Sequence, residues 1–159
     1  KVFTEVNKLL WESNSENLFV TAFEGVLDLR TGEFNYVNAG HEIPFICPKD
    51  GNYKPYKIKA GFVLSGFDDM KYTAGTVTLK PGDKFFEYTD GVTEATDASN
   101  QLYGMKRLEE VLNKNTSKTP EELLPEIKKD IDDFVKEAPQ FDDITMLAFE
   151  FKCKAIEEK

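Results

Sequence analysis

The chain has 159 residues, 40% of them hydrophobic and 13% aromatic, enough for one compact domain with a buried core. Its formal charge of −9 at pH 7 repels phosphate backbones and anionic lipid surfaces, which sets aside nucleic acid and membrane as partners. The two cysteines, Cys47 and Cys153, match neither a disulfide framework nor a metal-ligand spacing, which points to a reducing cytoplasm.

No run approaches the roughly 18 consecutive apolar residues of a membrane span, and no signal segment opens the chain. The absence of an initiator Met reads Lys1 as a cut point.

Val2, Phe3, Val6, Leu9 and Leu10 recur at helical spacing and predict an amphipathic helix over 2–12, closed by a Ser-Asn-Ser stretch. A β-rich run from Asn17 to Leu29, the turn-forming Thr31-Gly32 and a second run through Val37 predict a hairpin. Short strands are expected at 43–47, 53–58, 73–79 and 84–89, separated by Asp50-Gly51-Asn52 and Pro81-Gly82-Asp83. After Asp90 the pattern predicts a polar loop through Gly104, then a helix with Met105, Leu108, Val111 and Leu112 on one face. Thr119, Pro120, Glu121 and Glu122 form an N-cap signature for a second helix. Its stripe is Leu123, Leu124, Ile127, Ile131, Phe134 and Val135, and Pro125 should kink it or delay its start. Ile144–Phe151 returns the chain to a sheet. Strands first, then two helices, then one strand indicate an α+β fold with antiparallel sheet and helices on its outer faces.

Two acidic motifs stand where strand meets loop: Tyr88-Thr89-Asp90-Gly91-Val92-Thr93-Glu94-Ala95 and Phe141-Asp142-Asp143-Ile144-Thr145. Converging carboxylates suit Mg²⁺ or Mn²⁺, hard cations that select oxygen, and a pair of such ions can activate water and clamp a phosphoryl group. Spacing alone leaves the turn and cap readings open, because Asp-Gly after a strand is commonly a turn.

The segments Asn17–Leu29 (NLFVTAFEGVLDL), Tyr36–Pro44 (YVNAGHEIP), Tyr88–Ala95 (YTDGVTEA) and Phe141–Leu147 (FDDITML) resemble, in order, the signatures of stage II sporulation E-type phosphatases. These are a bacterial branch of the type 2C metal-dependent serine/threonine phosphatases, and the likeness runs from about Val2 to Phe151. It implies an antiparallel β-sandwich flanked by helices, two Mn²⁺ or Mg²⁺ ions at one end, and direct attack by metal-activated water on phosphoserine or phosphothreonine. The substrate it implies is a small regulatory protein, often an anti-sigma-factor antagonist. Carried across, Asp90 and Asp142 match metal-ligand positions and are the expected catalytic residues. Gly91 either brings its backbone to the site or is a turn glycine.

Around these, Asp143 is expected to face solvent, Thr93 and Glu94 to support the loop, and His41, the single histidine, to be structural rather than a general acid. Asp68, Asp69 and Asp83 read as turn acids. The stretch 97–104 lacks the alternating ligands of a calcium loop.

Neither the Gly-Asp-x-x-Asp motif nor the Asp-x-Ser/Ala-Gly-x-Gly motif of the family occurs. The expectation is therefore the carboxy-terminal part of a phosphatase domain over 1–152, with a tail at 153–159. The fragment should bind metal weakly, hydrolyse slowly and self-associate through exposed strand edges. The competing reading is a noncatalytic phosphoprotein-binding module; an unrelated structural sandwich would require four ordered motifs to arise by chance.

Overall fold

A computed structural model describes residues 1–140 and 142–152, so the expected tail at 153–159 lies outside the described residues. The chain divides into two compact units, one from 1–41 and 57–79, the other from 42–56 and 80–152. Among the described residues no helix is long and apolar enough to cross a membrane.

In the first unit, helix α1 (Val2–Glu12) accompanies a three-stranded antiparallel sheet in the order β1 (Ala22–Leu27), β2 (Glu33–Ala39), β5 (Gly75–Thr78). The predicted hairpin forms in the register Leu27 opposite Phe34 and Ala22 opposite Ala39. Gly32, at φ 75°, donates its N–H to the Asp28 carbonyl at 2.8 Å, a left-handed turn position that favours glycine. Strand structure begins only at Ala22: Asn17 has φ 54°, and Leu18, Phe19 and Val20 stand exposed.

The face that α1 buries also differs from its apolar count. Val2 and Leu9 are exposed, whereas Phe3 and Asn7 are buried. Asn7 is the hub. Its Nδ2 donates to the carbonyls of Phe67 (2.8 Å) and Asp68 (2.9 Å), and its Oδ1 accepts from Ser65 N–H (2.9 Å) and the Tyr72 hydroxyl (3.0 Å). A buried amide satisfied in this way fixes the loop before β5 to the helix.

In the second unit the sheet runs β4 (Lys54–Pro55), β3 (Phe45–Cys47), β6 (Lys84–Tyr88), β7 (Met146–Glu150), all antiparallel. Alternation puts Phe45, Phe86 and Tyr88 into one core with the apolar stripes of α3 (Gly104–Lys114) and α4 (Pro120–Val135). Leu108, Leu112, Leu123, Ile127 and Ile131 are buried there, while Met105 lies at the exposed start of its helix. Thr119 caps α4 by accepting from Glu122 N–H, and Glu122 answers with a 2.9 Å bond from the Thr119 N–H. The helix runs as one element through Pro125. Proline five residues past the start removes a single hydrogen bond, which burial of the stripe offsets.

Candidate active site

Both acidic motifs fall in the second unit, and the strand pair β6–β7 sets them side by side. Tyr88 lies opposite Met146 at the end of the ladder, so the chain leaving β6 and the chain entering β7 emerge together. Three hydrogen bonds around Thr89 extend that pairing. Its N–H donates to the Thr145 carbonyl (3.0 Å), its hydroxyl to the Asp143 carbonyl (3.0 Å), and its oxygen accepts from the Thr145 N–H (3.0 Å).

Beyond Thr89 the expected loop is a helical turn, α2 (Asp90–Thr93). Glu94 N–H and the Thr93 hydroxyl both donate to the Asp90 carbonyl, at 2.8 and 3.3 Å, which closes the turn through the Asp90 backbone and not its carboxylate. The Asp90 carboxylate is exposed and accepts the Gly91 N–H at 3.0 Å. Asp142, also exposed, accepts the Asp143 N–H at 2.7 Å, and Asp143 faces solvent.

Gly91 is buried, and a Cβ built on it would stand 2.4 Å from the Asp143 carbonyl oxygen. Its lack of a side chain thus serves close approach of the two acidic loops rather than a left-handed turn, since its φ is not positive.

The remaining candidates lie elsewhere. His41 belongs to the first unit, where its N–H donates to Asn38 Oδ1 (2.9 Å), its carbonyl accepts from Asn38 Nδ2 (3.0 Å) and its Nδ1 meets the Thr21 hydroxyl (3.0 Å). Asp68 and Asp69 share that unit. Asp83 is a buried turn acid that accepts from Lys49 N–H (3.1 Å) and Lys80 N–H (2.8 Å).

Residue reasoning passed over Glu87 and Glu42. Burial pushes the Glu87 carboxyl up to about 8, against a backbone hydrogen bond that lowers it, with the charge of Glu42 adding to the rise. Glu42 also accepts the Tyr88 hydroxyl at 3.4 Å, and burial, reinforced by Glu42, raises that phenol well above its ordinary value. A charged residue between Phe86 and Tyr88 in a strand was the available signal.

The model of the family described as stage II sporulation protein E (SpoIIE) matches residues 1–152. The chain belongs to the SpoIIE family. It is 36% identical over 131 residues to protein IcfG of Synechocystis sp. (strain ATCC 27184 / PCC 6803 / Kazusa), covering 82% of this chain and 20% of that protein. It is 25% identical over 128 residues to phosphoserine phosphatase RsbU of Bacillus subtilis (strain 168), covering 80% of this chain and 38% of RsbU. Among solved structures, the SiaA-PP2C domain of Pseudomonas aeruginosa superposes with a TM-score of 0.72 at 22% identity, over 83% of this chain and 52% of that one. This SpoIIE-family chain therefore has the mixed helix and antiparallel-sheet fold of PP2C-like phosphatase domains, and it spans well under half the length of either named relative.

Proposed function

We propose that the chain forms part of a metal-dependent protein serine/threonine phosphatase site in a bacterial signalling protein, with Asp90 and Asp142 holding Mn²⁺ or Mg²⁺ and the Gly91 backbone beside them. The support is the Thr89–Asp143–Thr145 hydrogen-bond set, which brings two acidic motifs from distant sequence positions to one end of β6 and β7. Exposed carboxylates are the donor class that these hard cations select, so the two residues fit the group in kind. Among the described residues no three Asp, Glu, His or Cys side chains gather, so Asp90 and Asp142 supply part of a coordination sphere. When bound, the ions supply Lewis acidity for phosphate-ester hydrolysis. The chain's own part is positioning: Thr89 fixes the spacing of the loops, and the short bonds inside each loop orient the acids.

The substrate in this reading is phosphoserine or phosphothreonine of a small regulatory protein, of the kind that antagonises an anti-sigma factor, in the cytoplasm; this chain alone turns over weakly. The edges of β1 and β5 offer a route to self-association, which light scattering reads directly. Calorimetric titration of Mn²⁺ into the chain and into an Asp90→Asn, Asp142→Asn variant tests the metal assignment. Saturable heat lost in the variant is expected. Equal heat in both overturns the assignment, and no heat in either favours the noncatalytic phosphoprotein-binding module.

A further inference from the structure

Beside Asp142 the second unit carries a cavity of about 220 Å³ whose other walls come from α2, from Ala95, Thr96 and Leu102, from the end of α4, and from Pro139, Gln140 and Ile144. Its lining is chiefly aliphatic, with Ala95, Leu102, Ile131, Val135 and Ile144 among its walls, and Glu94 joins Asp142 as an acid on it. Asp132 also borders it but pairs with Lys128.

Size limits the occupant. Cavities for cofactor-sized molecules run from roughly 300 Å³ upward, whereas about 150 Å³ of apolar space accepts a benzene-sized group. One aliphatic or aromatic side chain fits, and a nucleotide does not. Charge limits it further, because Glu94, which the phosphatase reading does not assign to a metal, favours a neighbouring cation and disfavours an acid.

We infer that this cavity is a specificity pocket that takes one apolar side chain of the substrate protein, next to the dephosphorylated residue, with a basic residue following it. The inference rests on the phosphatase reading for the identity of the substrate, and it makes Leu102 and Val135 specificity determinants. The shared wall residue Asp142 is what couples the pocket to the reaction centre. A substrate whose apolar side chain is seated there has its adjoining residue delivered to the acidic loops.

The test is nuclear magnetic resonance on the whole chain, with unphosphorylated acetylated peptide amides as probes: Ser-Leu-Lys, Ser-Gly-Leu-Lys, and the same peptides with Ala for Leu or Glu for Lys. Saturable shifts are expected at the amides of Ala95, Leu102, Val135 and Ile144. Affinity should fall roughly tenfold for Leu to Ala, the usual discrimination by an apolar pocket. Leu102→Ala should weaken the Leu peptide while leaving the Ala peptide unchanged; Leu102 is 60% exposed, so the fold tolerates the change. Shifts that are absent, lie elsewhere, or are equal for the Leu and Ala peptides overturn the pocket. Mn²⁺ added separately should broaden the amides of Asp90 and Asp142. Pocket shifts without that broadening keep the pocket and remove the metal assignment, so the two failures read differently.

Discussion

The two units reach order by different means. The second packs two helices on a four-stranded sheet, and its core runs unbroken from Phe45 and Tyr53 through Leu112 to Ile131. The first has one helix, a three-stranded sheet and a small core of Phe3, Ala39 and Leu64, and it leaves Leu18, Phe19, Phe62 and Phe67 exposed. Apolar burial scales stability where it is extensive. Where it is thin, a single satisfied polar group can decide a loop's conformation. The acidic motifs sit on the densely packed unit, which gives the proposed site a rigid support.

Removing core volume from the second unit should have the largest effect. Ile127 is fully buried, and Ile127→Ala is expected to cost about 4 kcal/mol in urea unfolding; a loss below about 1 kcal/mol would mean that the core is not what holds the unit.

Next comes the charge within that core's own strand. The Glu87 carboxyl is raised from 4.5 to about 8 in the folded chain. The folded state therefore holds a proton that the unfolded state has released between those values, and its contribution to stability is full below the lower one and lost as pH rises through the upper. The loss should be at most about 5 kcal/mol, less as water and side chains relax around the charged form, and Glu87→Gln should flatten the stability–pH curve across that window. An unchanged slope in the variant would reassign the pH dependence to other groups.

In the first unit, Asn7→Ala removes the side-chain acceptor of Ser65 N–H and the donor to the Phe67 carbonyl, while the Tyr72 hydroxyl keeps the Val63 carbonyl and the Asp68 carbonyl keeps the Met70 N–H, at an expected cost of about 2 kcal/mol. Hydrogen exchange should quicken first at Ser65 while Leu112 stays protected. Equal acceleration at both sites would erase the contrast between the units. The smallest effect expected is Thr119→Ala, about 1 kcal/mol, from loss of the α4 capping box; a thermal melt suffices to measure it.

Periodicity, turn chemistry and caps made most elements legible: the hairpin, the strands 45–47 and 84–88, both long helices and the Thr119 cap all stand where the pattern placed them. What it missed has a common cause. Hydrophobic periodicity assumes that apolar means buried, yet α1 buries Asn7 and exposes Leu9, because hydrogen bonds from the 65–72 segment outweigh the local pattern. The β-rich run at 17–21 lost its strand to Asn17 at positive φ and to Asn14, which binds the backbone N–H and carbonyl of Leu18. At the proposed site, Asp90, Asp142 and Gly91 were legible as motif members. The threonines that tie them were not, since a contact between positions 89 and 145 leaves no trace in local spacing.

The same threonine contact has a consequence for the chain as it is made. A ribosome delivers residues in order, and Asp90 leaves the exit tunnel more than fifty positions ahead of Asp142. Until β7 docks beside β6, the first acid has no companion, so a nascent or prematurely stopped polypeptide lacking the last strand presents α3 and α4 without a paired acidic site. The two acidic loops thus come side by side only after the second unit's sheet has received its final strand.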